Sequence, residues 1–180
     1  MRIVHTLRTF LLPVLVALPI TASGDSTAGR SPHTERAHLC EQALTAVRQT
    51  LARVNLCLDV NTPGAVSVSC RGTGVSITQD CLSYNGDYIF TLKTSFDVRD
   101  IDAAGIEPYP DDNRAITLRT RNGRTIRETW VKKYITPPYW MKTDEVDATD
   151  MVLLFDSSET AAGMSAALKQ AVKQCDRPAK

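Results

Sequence analysis

Residues 150–175, DMVLLFDSSETAAGMSAALKQAVKQC, decide the fold that the sequence predicts. Residues 151–155 form a continuous apolar run between two aspartates, and this length and these boundaries favour a buried strand over a helix. Asp156 and, three residues later, Glu159 provide acceptors for the free amides of a helix start. The apolar residues that follow recur every three or four positions, and they are Ala161, Met164, Leu168, Ala171, Val172 and Cys175. We therefore predict a strand followed by a helix that covers one face of a sheet or the end of a barrel.

The N-terminus has the pattern of a targeting segment. Arg2 and Arg8 precede an apolar run at 10–20, and small residues follow it. Cleavage near Ser23 would leave a signal peptide over 1–23, a flexible tail over 24–33 and a single domain over 34–180. The apolar run is too short to span a bilayer, so we predict a periplasmic or secreted protein that is not membrane-spanning. Loss of the two arginines changes the formal charge from +1 to about −1, and a near-neutral chain argues against a nucleic-acid partner.

Five cysteines in an exported chain predict two disulfides and one remaining thiol. Cys70 and Cys81 are the favoured pair, because only a short strand–turn–strand segment separates them. A bond from either Cys40 or Cys57 to Cys175 would join the first and last helices. Cys40 and Cys57 cannot bond to each other if they share one helix, because a rise of ~1.5 Å per residue places them roughly 25 Å apart. A disulfide requires Cα atoms within about 7 Å of each other.

The remaining elements are one long helix and a series of short strands. Apolar residues with helical spacing predict the helix over 34–58. Short apolar or alternating segments predict seven strands, at 65–70, 74–78, 81–84, 87–98, 114–120, 124–135 and 151–155. The alternation requires one dry and one wet face, which is typical of antiparallel sheets. Prolines exclude 136–141 from a central strand, and the acids of 144–150 predict a loop.

These elements predict an α+β fold, an antiparallel sheet or small barrel of about seven strands with an N-terminal helix and a C-terminal lid helix. The element order from residue 65 to residue 175 resembles that of pleckstrin-homology-like barrels, in which a terminal helix plugs one end. The resemblance implies a closed barrel and carries no function with it. The additional N-terminal helix departs from that order.

An arginine-rich turn is the first candidate recognition surface. Asn122-Gly123 predicts a hairpin between the strands at 114–120 and 124–135, with a three-residue loop in which Gly123 is left-handed and Leu118 pairs with Ile126. The arginines at or near its tip are Arg119, Arg121, Arg124 and Arg127. Guanidinium groups bind carboxylate and phosphate groups bidentately, so this tip would suit an acidic or anionic partner. The alternative is a solvated edge hairpin whose charges prevent aggregation.

Aromatic residues beside prolines are the second candidate surface. Tyr139 and Trp140, together with Tyr109, lie in predicted loops next to prolines. Aromatic side chains on rigid loops often anchor protein interfaces. The alternative is a small cluster that covers one end of the core.

Catalytic and metal-binding patterns are weak. His5 lies in the targeting segment, and His33 and His38 lie at the start of the first helix, so the usual base of a serine or cysteine hydrolase is missing. His33, His38 and Cys40 would suit a metal, but a disulfide at Cys40 is the favoured interpretation. Acids at Asp111 and in 144–150 leave a calcium site or a carboxylate-based hydrolase as alternatives. We predict no catalytic residue, no metal and no cofactor.

These observations favour a non-enzymatic exported binding protein. An inhibitor or immunity-type partner of another envelope protein fits, as does an assembly factor, and the partner would be an envelope protein or an anionic envelope component. Two alternatives stay open. One is a carrier of a lipid or other apolar ligand, and the other is a hydrolase that uses Asp111 or Asp147.

Overall fold

The closing strand and helix form where the sequence predicts them. The computed structural model describes residues 32–57, 61–83 and 85–176, so the predicted signal peptide and nearly all of the predicted tail lie outside it. The two helices of the described part are α1 (Pro32–Leu51) and α2 (Ser158–Cys175). Its strands are β1 (Val54–Asn55), β2 (Asn61–Arg71), β3 (Gly74–Ser83), β4 (Tyr88–Asp97), β5 (Glu107–Pro108), β6 (Ala115–Arg119), β7 (Ile126–Tyr134), β8 (Met141–Ala148) and β9 (Asp150–Phe155). The predicted α+β class is confirmed.

The strands form two antiparallel sheets rather than a barrel. The smaller sheet has the order β1-β9-β6-β5 and the larger sheet has the order β2-β3-β4-β7-β8. Buried side chains from both sheets and both helices form one hydrophobic cluster. Because neither sheet closes on itself within the described ranges, the resemblance to pleckstrin-homology-like barrels does not extend to the topology.

The C-terminal helix buries the stripe that its sequence predicts. All six of its predicted core residues, from Ala161 to Cys175, are buried. Ser157 caps the helix, because its side-chain oxygen accepts a hydrogen bond from the backbone N–H of Thr160. Asp156, the predicted cap, instead forms an ion pair with Arg53 at the end of the first helix. Neither helix is long and apolar enough to cross a membrane, which holds for the part of the chain that the structure describes.

The first helix is shorter than predicted. It ends at Leu51, and Val54 and Asn55 then pair with Phe155 and Leu154 of β9 as strand β1. Cys57 therefore leaves the helix and bonds to Cys81 in β3, with the two Cα atoms 5.7 Å apart.

The second disulfide joins the two helices. Cys40 of α1 bonds to Cys175 of α2, with a Cα separation of 4.9 Å, as one of the sequence alternatives states. The predicted Cys70–Cys81 bond is wrong, and Cys70 is a free thiol. Residues 74–83 form one continuous strand, which places the Cα partner of Cys70, Val75, six positions from Cys81, or about 20 Å at ~3.4 Å per residue. Two disulfides are typical of proteins in an oxidising compartment.

The predicted hairpin between β6 and β7 does not form. Asn122 and Gly123 have φ values of 54° and 66°, and the N–H of Arg124 donates to the carbonyl oxygen of Arg121, so a tight two-residue turn is present. However, β6 pairs with β5 and β9, whereas β7 pairs with β4 and β8. Leu118 and Ile126 are both fully buried, but in different sheets. The alternation of apolar and polar residues in β6 and β7 predicted which face of each strand is buried. It did not specify which strands lie beside them.

The predicted acidic loop is a strand. Residues of β8 pair with β7 in an unbroken register from Met141 opposite Lys133 to Ala148 opposite Ile126. The strand is exposed on both faces over almost its whole length. It therefore lacks the hydrophobic alternation that indicates a strand, and its charged residues are those expected on a sheet edge.

Candidate binding surface

One end of the larger sheet extends beyond the hydrophobic core. Successive side chains of a strand point to opposite faces, so Tyr88, Leu92 and Phe96 of β4 share one face. Phe96 is buried in the core, whereas Tyr88 and Leu92 are only half-buried. The register pairs Tyr88 with Tyr134 and Leu92 with Trp130, which places these two β7 side chains on the same face. The sheet thus continues past the core with large apolar side chains on its inner face.

Five rings make up this surface, which we call the aromatic face: Tyr88, Phe90, Trp130, Tyr134 and Trp140. Tyr134 stacks on Trp140 with ring centroids 4.1 Å apart and an interplanar angle of 22°. Tyr88 contacts Tyr134 at 5.4 Å and meets Phe90 edge-on at 4.9 Å. Ring contacts of this kind add about 0.5–1.5 kcal/mol each beyond area burial. Four of the five rings therefore hold one another in fixed positions.

A lysine lies inside this group of rings. The Nζ atom of Lys132 is 3.9 Å from the ring centre of Tyr88, 4.7 Å from that of Tyr134 and 5.4 Å from that of Phe90. Cation–π contacts at such distances are attractive. The ammonium group is thereby fixed among the rings, so the aromatic face carries a positive charge near its centre, and Lys142 of β8 lies opposite Lys132 on the same face.

Both tryptophans of the chain are on this face, and both are half-exposed. Trp130 is 48% exposed and Trp140 is 44% exposed. The register places them on one side of the sheet, because Trp130 is opposite Asp144 and the N–H of Tyr134 donates to the carbonyl oxygen of Trp140. Tryptophan is highly buried on average and is enriched at the energetic centres of protein interfaces. Two exposed tryptophans on a rigid surface are therefore the most informative feature of the described residues.

An apolar cleft adjoins the aromatic face. It has a volume of about 380 Å³ and lies between the extended part of the larger sheet and strand β9. Its apolar walls are formed by Leu56, the Cys57–Cys81 disulfide, Phe90, Leu92, Trp130, Met151 and Val152. Val152 is 41% exposed at its mouth. A cleft of this size is at the lower end of the range for small-molecule sites.

The predicted arginine cluster lies at the other end of β7 and is paired with acids. Arg121 lies 3.2 Å from Asp176 and also donates to the carbonyl oxygen of Ile101. The other pairs are Arg124 with Asp100 at 3.7 Å and Arg127 with Asp147 at 3.2 Å, while Arg119 is exposed at the end of β6. The hydrogen bond to Asp147 raises the pKa of Arg127. Three of the four guanidinium groups are thus paired with acids of neighbouring elements of the same chain.

The two predicted surfaces are not brought together. Arg127 and Tyr134 are separated by about 24 Å along β7 at ~3.4 Å per residue. Tyr139 is 73% exposed beside Trp140, in the connection between β7 and β8. Tyr109 follows β5, where its N–H donates to the carbonyl oxygen of Ala115, in the smaller sheet. Of the predicted aromatic residues, only Trp140 is therefore part of the aromatic face.

Trp130, Tyr134 and the role of Lys132 were not predicted from the sequence. Ile126, Trp130 and Tyr134 are separated by even numbers of positions, which predicts that their side chains share one face of a strand. Polar residues at the intervening positions of that same face, Glu128 and Lys132, hid the pattern.

The acids of the described part are dispersed rather than convergent. Asp111 is exposed, Asp112 is bonded to Arg114, and Asp147 lies on β8 beside Arg127. Hydrogen bonds from arginine lower the pKa of Asp112, and they lower the pKa of Asp97 to about 2. A general acid requires the opposite shift. The described residues also contain no group of three or more side chains able to hold a metal ion, and Cys40 is in a disulfide.

Cys70 lies in a separate shallow cleft with Arg48 and the helix residues Ala37, Cys40 and Leu44. Burial raises the pKa of its thiol, and the charge of Arg48 opposes that shift. A raised pKa reduces the thiolate fraction, so this cysteine is not activated as a nucleophile.

Comparison with protein-family models, curated proteins and solved structures gave no match to the chain.

Proposed function

We propose that the protein is a non-enzymatic, exported binding protein whose contact surface is the aromatic face. The observation that carries this proposal is the half exposure of both tryptophans on one preorganised surface. Ring stacking and the Lys132 contacts fix Trp140 and the three rings beside it before binding, so little of their conformational entropy remains to be lost on association. The partner is a protein of the cell envelope, with an apolar contact surface and an acidic group positioned to meet Lys132.

Aromatic anchors at the centre of an interface each contribute about 2 kcal/mol or more to binding. Trp130→Ala and Trp140→Ala should therefore each weaken partner binding by about thirtyfold or more. The matched control is Leu39→Ala, because Leu39 is also a large exposed apolar residue, at 39%, but lies on α1. A partner counts only if it is recovered in stoichiometric amount, is lost with both tryptophan variants and is kept with the control.

The two tryptophans also provide a direct reporter of contact. Protein labelled with 5-fluorotryptophan should give two ¹⁹F resonances, which Trp130→Phe and Trp140→Phe assign. Binding of a protein across the aromatic face should shift both resonances. If a stoichiometric partner binds and leaves both unchanged, the aromatic face is not its contact surface.

A second function, carriage of a lipid or other apolar ligand, is favoured by the cleft. Trp130 lines the cleft and Trp140 does not. A ligand in the cleft should therefore shift the Trp130 resonance alone, and native mass spectrometry of protein purified from its own compartment should show the added mass. Val152→Glu at the mouth of the cleft should reduce the retained ligand, whereas Val146→Glu on β8 should not.

A further inference from the structure

Strand β8 leaves one edge of the larger sheet unpaired in the described part of the chain. The strand order ends at β8, and its backbone pairs only with β7. Its exposed apolar side chains are unusual for an edge: Met141 is 67% exposed and Val146 is 53% exposed. An exposed row of backbone N–H and C=O groups is a template for adding another strand.

The register with β7 identifies which backbone groups of β8 point outward. The N–H of Tyr134 donates to the carbonyl oxygen of Trp140, so this pair is a hydrogen-bonded pair of the antiparallel ladder. Hydrogen-bonded pairs recur at every second residue, and the unbroken register carries this pattern along β8. Even-numbered residues of β8 therefore bond to β7, and the N–H and C=O groups of Met141, Thr143, Glu145 and Asp147 face away from it.

We propose that β8 pairs antiparallel with β8 of a second copy of this chain, about a two-fold axis through Thr143. Residues whose N–H and C=O groups face outward must lie opposite each other in the two copies. These are every second residue of β8, so the two-fold axis must pass at a residue and not between two residues. An axis at Lys142, Asp144 or Glu145 places like charges directly opposite each other. An axis at Val146 or Asp147 opposes acid to acid as well, and one at Met141 runs the pairing into the prolines before β8. Thr143 is the one centre among these that avoids every conflict.

The pairing about Thr143 is also complementary. Lys142 lies opposite Asp144 of the second copy, and Asp144 lies opposite its Lys142, both as close non-hydrogen-bonded pairs. Within one chain these two side chains already form an ion pair at 2.9 Å. In the dimer two lysines and two aspartates would alternate around the axis.

Apolar contacts flank this charged centre. The same register places Trp140 opposite Val146 of the second copy, and Val146 opposite its Trp140. Both pairs lie on the face that carries the aromatic rings. About six backbone hydrogen bonds would form across the junction, and the two larger sheets would become one continuous sheet. A second copy thus covers Val146 and Trp140, whereas Met141 lies opposite Glu145 on the other face, and a two-fold junction of this kind is the commonest form of oligomer. The pairing involves the sheet edge and does not rest on the proposed function.

Sedimentation velocity over a wide concentration range tests the pairing. Wild type and Thr143→Val should form a dimer, whereas Thr143→Pro should remain monomeric. Proline removes an outward N–H and leaves the β7–β8 hydrogen bonds in place, so the fold should be retained and can be checked by circular dichroism. The proposal is overturned if the wild-type chain stays monomeric. It is also overturned if the β8 edge binds only an extended segment of another protein.

Charge exchange gives a second test that does not depend on proline. Lys142→Asp and Asp144→Lys should each weaken the dimer about tenfold or more, because each places like charges opposite each other across the axis. An equimolar mixture of the two variants should recover a heterodimer, since a copy with two acids at these positions then faces a copy with two lysines. Failure of the mixture to associate better than either variant alone contradicts the register. If the dimer is absent but the ¹⁹F shifts with a partner persist, this inference fails and the proposed function stands.

Discussion

The two disulfides should contribute unequally to the free energy of unfolding. Which of them contributes more tests whether the entropy of the unfolded chain decides the contribution. Cys40 and Cys175 are 135 residues apart, whereas Cys57 and Cys81 are 24 apart. The loop-closure relation gives ~5 kcal/mol for the first bond and ~3.5 kcal/mol for the second at 25 °C. Replacement of Cys40 and Cys175 by alanine should therefore cost about 1.5 kcal/mol more than the same replacement of Cys57 and Cys81.

Cavity formation opposes this order. Cys57 and Cys81 are 3% and 0% exposed, so their replacement by alanine leaves unfilled volume in the core. In the other bond Cys175 is 8% exposed but Cys40 is only half-buried, so less volume is lost there. The experiment therefore separates the entropy of the unfolded chain from the packing of the folded chain.

Guanidinium unfolding without reductant measures both variants. Each should carry Cys70→Ala so that the free thiol cannot exchange with the remaining bond. Circular dichroism should follow the transition, because the exposed tryptophans give little change in fluorescence. If the Cys57/Cys81 variant is the less stable of the two, loop entropy is refuted as the deciding factor and core packing dominates.

Four other substitutions have defined outcomes in the same unfolding assay. Hydrogen bonds from Arg99 and Thr73 lower the pKa of Asp97 to about 2. The ionised carboxylate therefore stabilises the folded chain fully above about pH 4, and this stabilisation is lost as the pH falls towards 2. After allowance for solvent screening, Asp97→Asn should remove ~1–2 kcal/mol from the change in unfolding free energy between pH 2 and pH 5. Ile126→Ala should cost about 2–5 kcal/mol because the residue is fully buried, and a loss no larger than that of the exposed control Leu39→Ala would contradict its place in the core. Gly163→Ala should stabilise the chain by about 1 kcal/mol, because the added methyl group meets open space in α2. Gly123→Ala should destabilise the chain, because Gly123 has a φ of 66°. Equal effects of the two substitutions would contradict the difference in backbone conformation between these glycines.

The sequence predicted elements well where one face is dry. The α2 stripe, the β9 strand and the buried part of β4 all follow from periodicity, because burial selects apolar residues at fixed spacing. Residue type also located the Asn122-Gly123 turn, but the turn was assigned to the wrong pair of strands. Turn chemistry is local, whereas the choice of neighbouring strand depends on how both sheets pack.

The parts of the candidate site that periodicity could not predict are those that lie outside the core. Strand β8 is exposed on both faces, so nothing in its side-chain pattern distinguishes it from a loop. Trp130 and Tyr134 look like ordinary core residues in sequence, and only the tertiary structure shows that the sheet extends beyond the residues that cover it. Apolar side chains beyond a core are costly unless something else covers them. This cost is the reason for assigning both the aromatic face and the β8 edge to contacts with other molecules, and the ¹⁹F and sedimentation experiments test those two contacts separately.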